Sequence, residues 1–111
     1  AMDYDNENYL IPKVLFRDDL YSDLTAFDIL VYAVLRGKQE EAFEKGWIDA
    51  EGNVYLGYKI SDLAKKFSCA KSTMINSLRR LEEADLIERD REMIGHYHSH
   101  NLPYRTYINE V

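Results

Sequence analysis

The spacing of apolar positions changes along the chain, and each change marks an element. Tyr9–Phe16 carries the first apolar cluster, and Pro12 within it ends any helix begun before it. Asp18–Asp23 reads as a short turn or single helical turn. Thr25 opens a clear helix as N-cap, with Asp28 three residues on as its capping-box partner. Leu24 and Ile29 stand at the positions of a hydrophobic staple. The helix Ala26–Leu35 is apolar nearly all round, which predicts a central, buried element, and Arg36 and Lys38 suit its C-terminal end. Gln39–Lys45 continues it as a charged segment. Gly46–Asn53 is rich in turn formers, and Val54–Tyr58 reads as a short strand.

From there the pattern sharpens. Ile60, Leu63, Ala64 and Phe67 fall at i, i+3, i+4 and i+7, one face of a helix of about two turns with Ser61 as N-cap. Ser68-Cys69 breaks the pattern. A second helix is predicted over Ala70–Ala84, with Met74, Leu78 and Leu81 inward, and Asp85 stands where it should stop. Leu86–Asp90 and Tyr104–Ile108 read as two strands joined through the polar, Gly95-containing segment 92–102. This order predicts an α+β winged helix-turn-helix. Three helices form the core, with a small antiparallel sheet and wing whose first strand is Val54–Tyr58, and an N-terminal extension. A tail over 1–8 precedes one domain over 9–111, and Ala1 before Met2 reads as a residue left by tag cleavage on a domain cut from a longer protein.

Composition agrees with a single core: 111 residues, 46% hydrophobic, nine tyrosines and four phenylalanines. No run reaches the roughly 18 apolar residues of a membrane span. With one cysteine and no secretory h-region, a cytoplasmic location is expected. One Cys and three His supply no ordinary structural zinc site, and no metal or cofactor is expected. Neither a nucleophile triad, a phosphate-cradling glycine loop nor a carboxylate pair in an apolar setting can be picked out, so the expectation is a non-enzymatic domain.

Charge changes the picture through its distribution. The net charge of −6 argues against nucleic acid, but the acids concentrate in residues 1–53, with 12 acidic and 5 basic side chains. Within 59–80 only Asp62 opposes Lys59, Lys65, Lys66, Lys71, Arg79 and Arg80. Screening over about 8–10 Å makes this local balance the one a phosphate feels. If Met74, Leu78 and Leu81 face inward, then Lys71, Ser72, Thr73, Asn76, Ser77 and Arg80 are left outward, with no acid until Glu82. An α-helix fits the roughly 12 Å major groove, where Ser72, Thr73 and Asn76 suit base edges while Lys71 and Arg80 suit phosphates. Arg79 adds to the same basic helix. The N–H groups near Ser68, Cys69 and Ala70 could hold a phosphate.

Around the wing, Arg89, Arg91 and Arg105 are candidate backbone contacts, diluted by Glu88, Asp90 and Glu92. His96, His98 and His100 would share one side of a strand, which suits a metal or a pH-dependent phosphate contact, although an exposed polar loop tip is the preferred reading. Trp47 reads as a core or dimer aromatic rather than a base-stacking one, and Cys69 as a small buried filler.

Four stretches carry a resemblance: Tyr9–Phe16 (YLIPKVLF), Leu24–Leu35, Gly46–Tyr58 (GWIDAEGNVYLGY) and Cys69–Arg89 (CAKSTMINSLRRLEEADLIER). In their order the chain resembles the N-terminal domain of the replication initiator A family of Gram-positive plasmids, and Gly46–Tyr58 is the most specific part. The resemblance implies a winged helix that binds repeated double-stranded sites at an origin, typically as a homodimer. It also implies a separate C-terminal domain that recruits host replisome proteins. It places the recognition helix at Cys69–Arg80, with Lys71, Thr73 and Asn76 as readers. The wing departs from the family's basic Gly-Leu-Gly-Lys-Pro-Asn-like pattern, of which only Gly95, Asn101 and Pro103 are echoed. A transcriptional regulator of the same fold, or a protein-interaction winged helix in a replication complex, stays as the alternative.

Overall fold

The computed structural model describes residues 7–90 and 105–111. Helix α1 (Val14–Arg17) begins just after Pro12, and a 3-10 turn follows at Asp19–Tyr21. Helix α2 (Ala26–Gly37) is the central element. Its capping box is complete: the Thr25 hydroxyl accepts from the Asp28 N–H at 3.1 Å and the Asp28 carboxylate accepts from the Thr25 N–H at 2.9 Å. Ile29 and Val31–Leu35 are buried as expected, but Leu30 stays 44% exposed, so the helix is not covered all round. The charged continuation is a separate helix, α3 (Gln39–Glu44).

Helices α4 (Ile60–Lys66) and α5 (Lys71–Glu83) form the helix-turn-helix, and α5 packs on both α4 and α2. Ser61 is not the cap of α4. The chain leaves its extended conformation at Lys59, two residues earlier than the sequence suggests, and no side chain caps that end. Strands β1 (Ile87–Asp90) and β2 (Arg105–Ile108) pair antiparallel, Ile87 opposite Ile108.

Val54–Tyr58 does not form a ladder strand. Its hydrogen bonds are divided between two neighbours: Tyr55 N–H donates to the Trp47 carbonyl at 3.0 Å, while Leu56 exchanges bonds of 2.8 and 3.0 Å with Thr106. Among the described residues only the bridges Ile48–Val54 and Leu56–Thr106 result, so the sheet there has two strands with a third segment touching β2 at one residue.

One device ends three of the helices. After α3, α4 and α5 the residues Gly46, Ser68 and Asp85 take positive φ of 77, 53 and 60°. In each case the next N–H reaches back to a buried residue: Trp47 to Ala42, Cys69 to Ala64 and Leu86 to Leu81, all at 3.0 Å. These are Schellman caps, in which the residue after the left-handed one packs back against the last turn. They give Trp47, Cys69 and Leu86 a structural reason to be apolar. Cys69 is half-buried rather than enclosed.

The core gathers Leu15, Tyr32, Leu35, Leu56, Met74, Leu78, Leu81, Leu86 and Ile87. Each such side chain withdrawn from water contributes about 1.5–3 kcal/mol before the entropy of ordering is counted. Tyr32 is wholly enclosed, and its hydroxyl donates to the Asn109 carbonyl at 2.6 Å. Asn109 also donates through Nδ2 to the Asp85 carbonyl at 2.8 Å, tying the end of β2 to the end of α5. Among the described residues no helix is long and apolar enough to cross a membrane.

Candidate nucleic-acid interface

The face of α5 left open by its packing is set by the buried arc Met74, Ser77, Leu78 and Leu81. Opposite it, Lys71, Ser72, Thr73, Asn76 and Arg79 are exposed, as is Ile75. No acidic side chain stands in the first turn. The N-cap is Ala70, so no side chain takes up the N–H groups of that turn. Lys59, Lys65 and Lys66 are exposed at the two ends of α4. Lys66 lies beside Lys38, whose charge lowers the Lys66 pKa, while Glu41, paired with Lys38 at 3.3 Å, acts in the opposite direction.

Arg79 pairs with Glu83 one turn on at 3.2 Å, with both side chains more than half exposed. Such a surface pair is worth little and exchanges readily for a phosphate.

Three sequence-predicted residues are elsewhere. Ser77 is fully buried, and its hydroxyl donates to the Asp28 carboxylate at 2.6 Å, so it cannot touch a ligand. Arg80 is also turned to Asp28, with Nε and Nη2 donating at 2.7 and 3.0 Å. Its bidentate fork holds α5 against the start of α2 instead of facing outward. Asp28 is itself inaccessible to solvent. Burial raises its proton affinity, but the bonds from Arg80, Ser77 and the Thr25 region outweigh this and hold its pKa below the ordinary 3.8. Arg89 is the third. Its side chain is only 6% exposed and donates to Glu82 at 3.1 Å, which folds it back onto α5.

Arg105 stands in β2, half-buried, with its guanidinium carbon 4.8 Å from the centre of the Tyr55 ring. Arg91 and the histidines His96, His98 and His100 lie outside the described residues. Trp47 is stacked with Tyr55 and meets Tyr58 edge-on at 5.2 Å, with Lys45 over its ring at 4.7 Å. Its surroundings are thus supplied by the chain itself. Tyr107 donates to Asp49 at 2.8 Å and fixes the turn before Val54 onto β2.

With this geometry in place, comparison with known proteins identifies the lineage. Residues 7–111 match the family described as replication initiator protein A (RepA) N-terminus. The chain belongs to that family. Its fold is the winged helix shared with solved initiator structures. A structure described as a Rep–DNA complex superposes with a TM-score of 0.81 at 28% identity, covering 97% of this chain and 78% of the other. A structure described as the N-terminal domain of a DNA-binding protein gives the same values. A third, described as an MDR initiator, gives 0.79 at 29% identity, covering 97% and 80%. A 41 kDa protein of Lactobacillus helveticus is 26% identical over 97 residues, and the chain spans 28% of its length.

Proposed function

We propose that this domain is the double-stranded DNA-binding part of a plasmid-type replication initiator, which lays α5 in the major groove at repeated origin sites. The observation that carries this reading is the exposed strip Lys71–Ser72–Thr73–Asn76–Arg79, with no acid before Glu82 and the Glu83 that pairs with Arg79, on the second helix of a helix-turn-helix. On this reading Ser72, Thr73 and Asn76 meet base edges. Lys71 and Arg79 neutralise phosphates, and the uncapped start of α5 adds backbone N–H donors. The likeness to a structure described as a Rep–DNA complex supports it. The domain acts by binding rather than catalysis.

Paired occupancy of repeats calls for a homodimer. The exposed apolar residues of the N-terminal segment, Leu10, Ile11 and Phe16 among them, support one. A C-terminal domain and host replisome proteins would then act on DNA that this domain has marked.

Titration of the domain against duplex containing the native origin repeats, at several salt concentrations, tests the reading. Each phosphate neutralised should add about −0.9 to the slope of log K against log salt. A flat slope with no preference over random duplex would reject it.

A further inference from the structure

One side chain in the open strip of α5 does not belong there by polarity. Ile75 is 40% exposed and stands outside the apolar cluster that forms the core. At about 100° per residue it lies roughly 60° from Ser72 and roughly 40° from Arg79 around the helix axis, on the same side as both. A single exposed apolar residue is common on protein surfaces and needs no special cause. Two features separate this one. It is β-branched on a solvent-facing helical position, where propensity favours Ala, Lys or Glu. It also sits among Ser72, Asn76 and Arg79, in the strip assigned above to the major groove.

We propose that Ile75 is a specificity-determining residue that packs against the 5-methyl group of a thymine in the bound site. The proposal rests on the DNA-binding reading of α5. In the major groove thymine alone presents a methyl group beside its O4 acceptor, and an aliphatic side chain is the complement to it. The polar neighbours would orient the helix over the base pair, and Ile75 would exclude water from the methyl.

The test uses the folded domain and a duplex site obtained by selection from random sequence. Each thymine of that site is replaced in turn by deoxyuridine, which deletes the methyl and keeps every hydrogen-bonding group. Affinity is read by fluorescence anisotropy. At one position per bound helix the replacement should weaken binding about fourfold, the value of one buried methyl. Ile75→Ala should lose comparable affinity on the thymine duplex and be indifferent to deoxyuridine at that position. Ile75→Val should retain part of the discrimination. Because the site is exposed and Ala favours helix, the variant's thermal melt should match that of the parent.

A selected site without a recurrent thymine overturns the proposal. So does a deoxyuridine penalty that persists in Ile75→Ala, or the lack of any penalty in the parent. If the parent still prefers its selected site in those cases, only the Ile75 assignment falls. If no duplex is preferred over another, the DNA reading falls and this one with it.

Discussion

Arg80 grips the carboxylate of Asp28 through two hydrogen bonds of 2.7 and 3.0 Å, joining the N-terminal turn of α2 to the far half of α5. Asp28 thereby serves two purposes, closing the capping box of its own helix and fixing the helix that carries the open strip. Removing Arg80 leaves a charge that is inaccessible to solvent with only the Ser77 hydroxyl and the Thr25 N–H. Arg80→Ala should cost about 2–3 kcal/mol in urea unfolding, toward the low end for a broken buried pair because Arg80 itself is partly solvated. The salt slope of DNA binding should be unchanged in the fraction that stays folded. A slope reduced by about one would instead put Arg80 on a phosphate.

The same pair sets an acid limit. The folded pKa of Asp28 is lowered relative to its ordinary 3.8. Its contribution is therefore present above the unfolded value and is lost as pH falls from there through the folded value. Stability measured from pH 5 downward should decline more steeply in the parent than in Asp28→Asn. The variant is less stable at neutral pH and has no carboxylate to protonate. Parallel curves would show that other carboxylates govern the decline.

Roles along the open strip separate by what each loss does to sequence preference. Lys71 is exposed in the first turn of α5, where an ammonium meets phosphate regardless of sequence. Lys71→Ala should weaken binding to all duplexes alike and lower the salt slope by about one. Asn76→Ala should cost about 1–3 kcal/mol on the preferred site and little on random DNA. Equal losses on every duplex would remove Asn76 from base reading.

Much of this surface is legible in the sequence because the period of the apolar positions fixes which side of a helix is covered. Ser77 shows the limit of that reading. Met74, Ser77, Leu78 and Leu81 fall at i, i+3, i+4 and i+7, so Ser77 lies on the inward arc, and only its polarity suggests otherwise. Its partner is 49 residues away, and no local pattern reveals it. Arg89 fails for a related reason. Alternation places a residue on one side of a strand, but not the direction in which a long side chain folds, here back to Glu82. Val54–Tyr58 has strand composition, yet pairing is a property of neighbours, and this segment divides its bonds between Trp47 and Thr106. The C-terminal end of α5 is read better than the start of α4, where Ser61 is not the cap. Asp85 stops α5 where expected, because a left-handed residue is needed there and Asp tolerates it.

Ser68 meets the same demand less easily. Its φ of 53° ends α4 and sets the turn of the helix-turn-helix, and its side chain is exposed. Glycine adopts this conformation without the Cβ clash, which costs other residues roughly 1–2 kcal/mol, but it loses more entropy on folding. Ser68→Gly should therefore raise stability by about 0.5–1 kcal/mol, whereas Ser68→Val should lower it. Thermal melts of the two variants beside the parent check the order. A destabilised glycine variant would mean that the serine hydroxyl supports the turn.

Tyr32 ties the C-terminal strand to the central helix, and its ionisation sets an alkaline limit. Burial, and next the nearby Glu110 carboxylate, push its pKa up from 10.0 to about 12. The hydroxyl is thus favoured in the folded state. Its contribution is complete below about pH 10 and is lost as pH rises through about 12. Tyr32→Phe removes the 2.6 Å bond to the Asn109 carbonyl while keeping the ring that fills the core. The loss should be about 1 kcal/mol at neutral pH, together with faster amide exchange at Leu56 and Thr106, whose paired bonds hold β2 from its other edge. Above pH 10 the variant should lose less stability with rising pH than the parent, so the two curves converge. Curves that stay parallel through pH 12 would show that Tyr32 does not carry the alkaline transition.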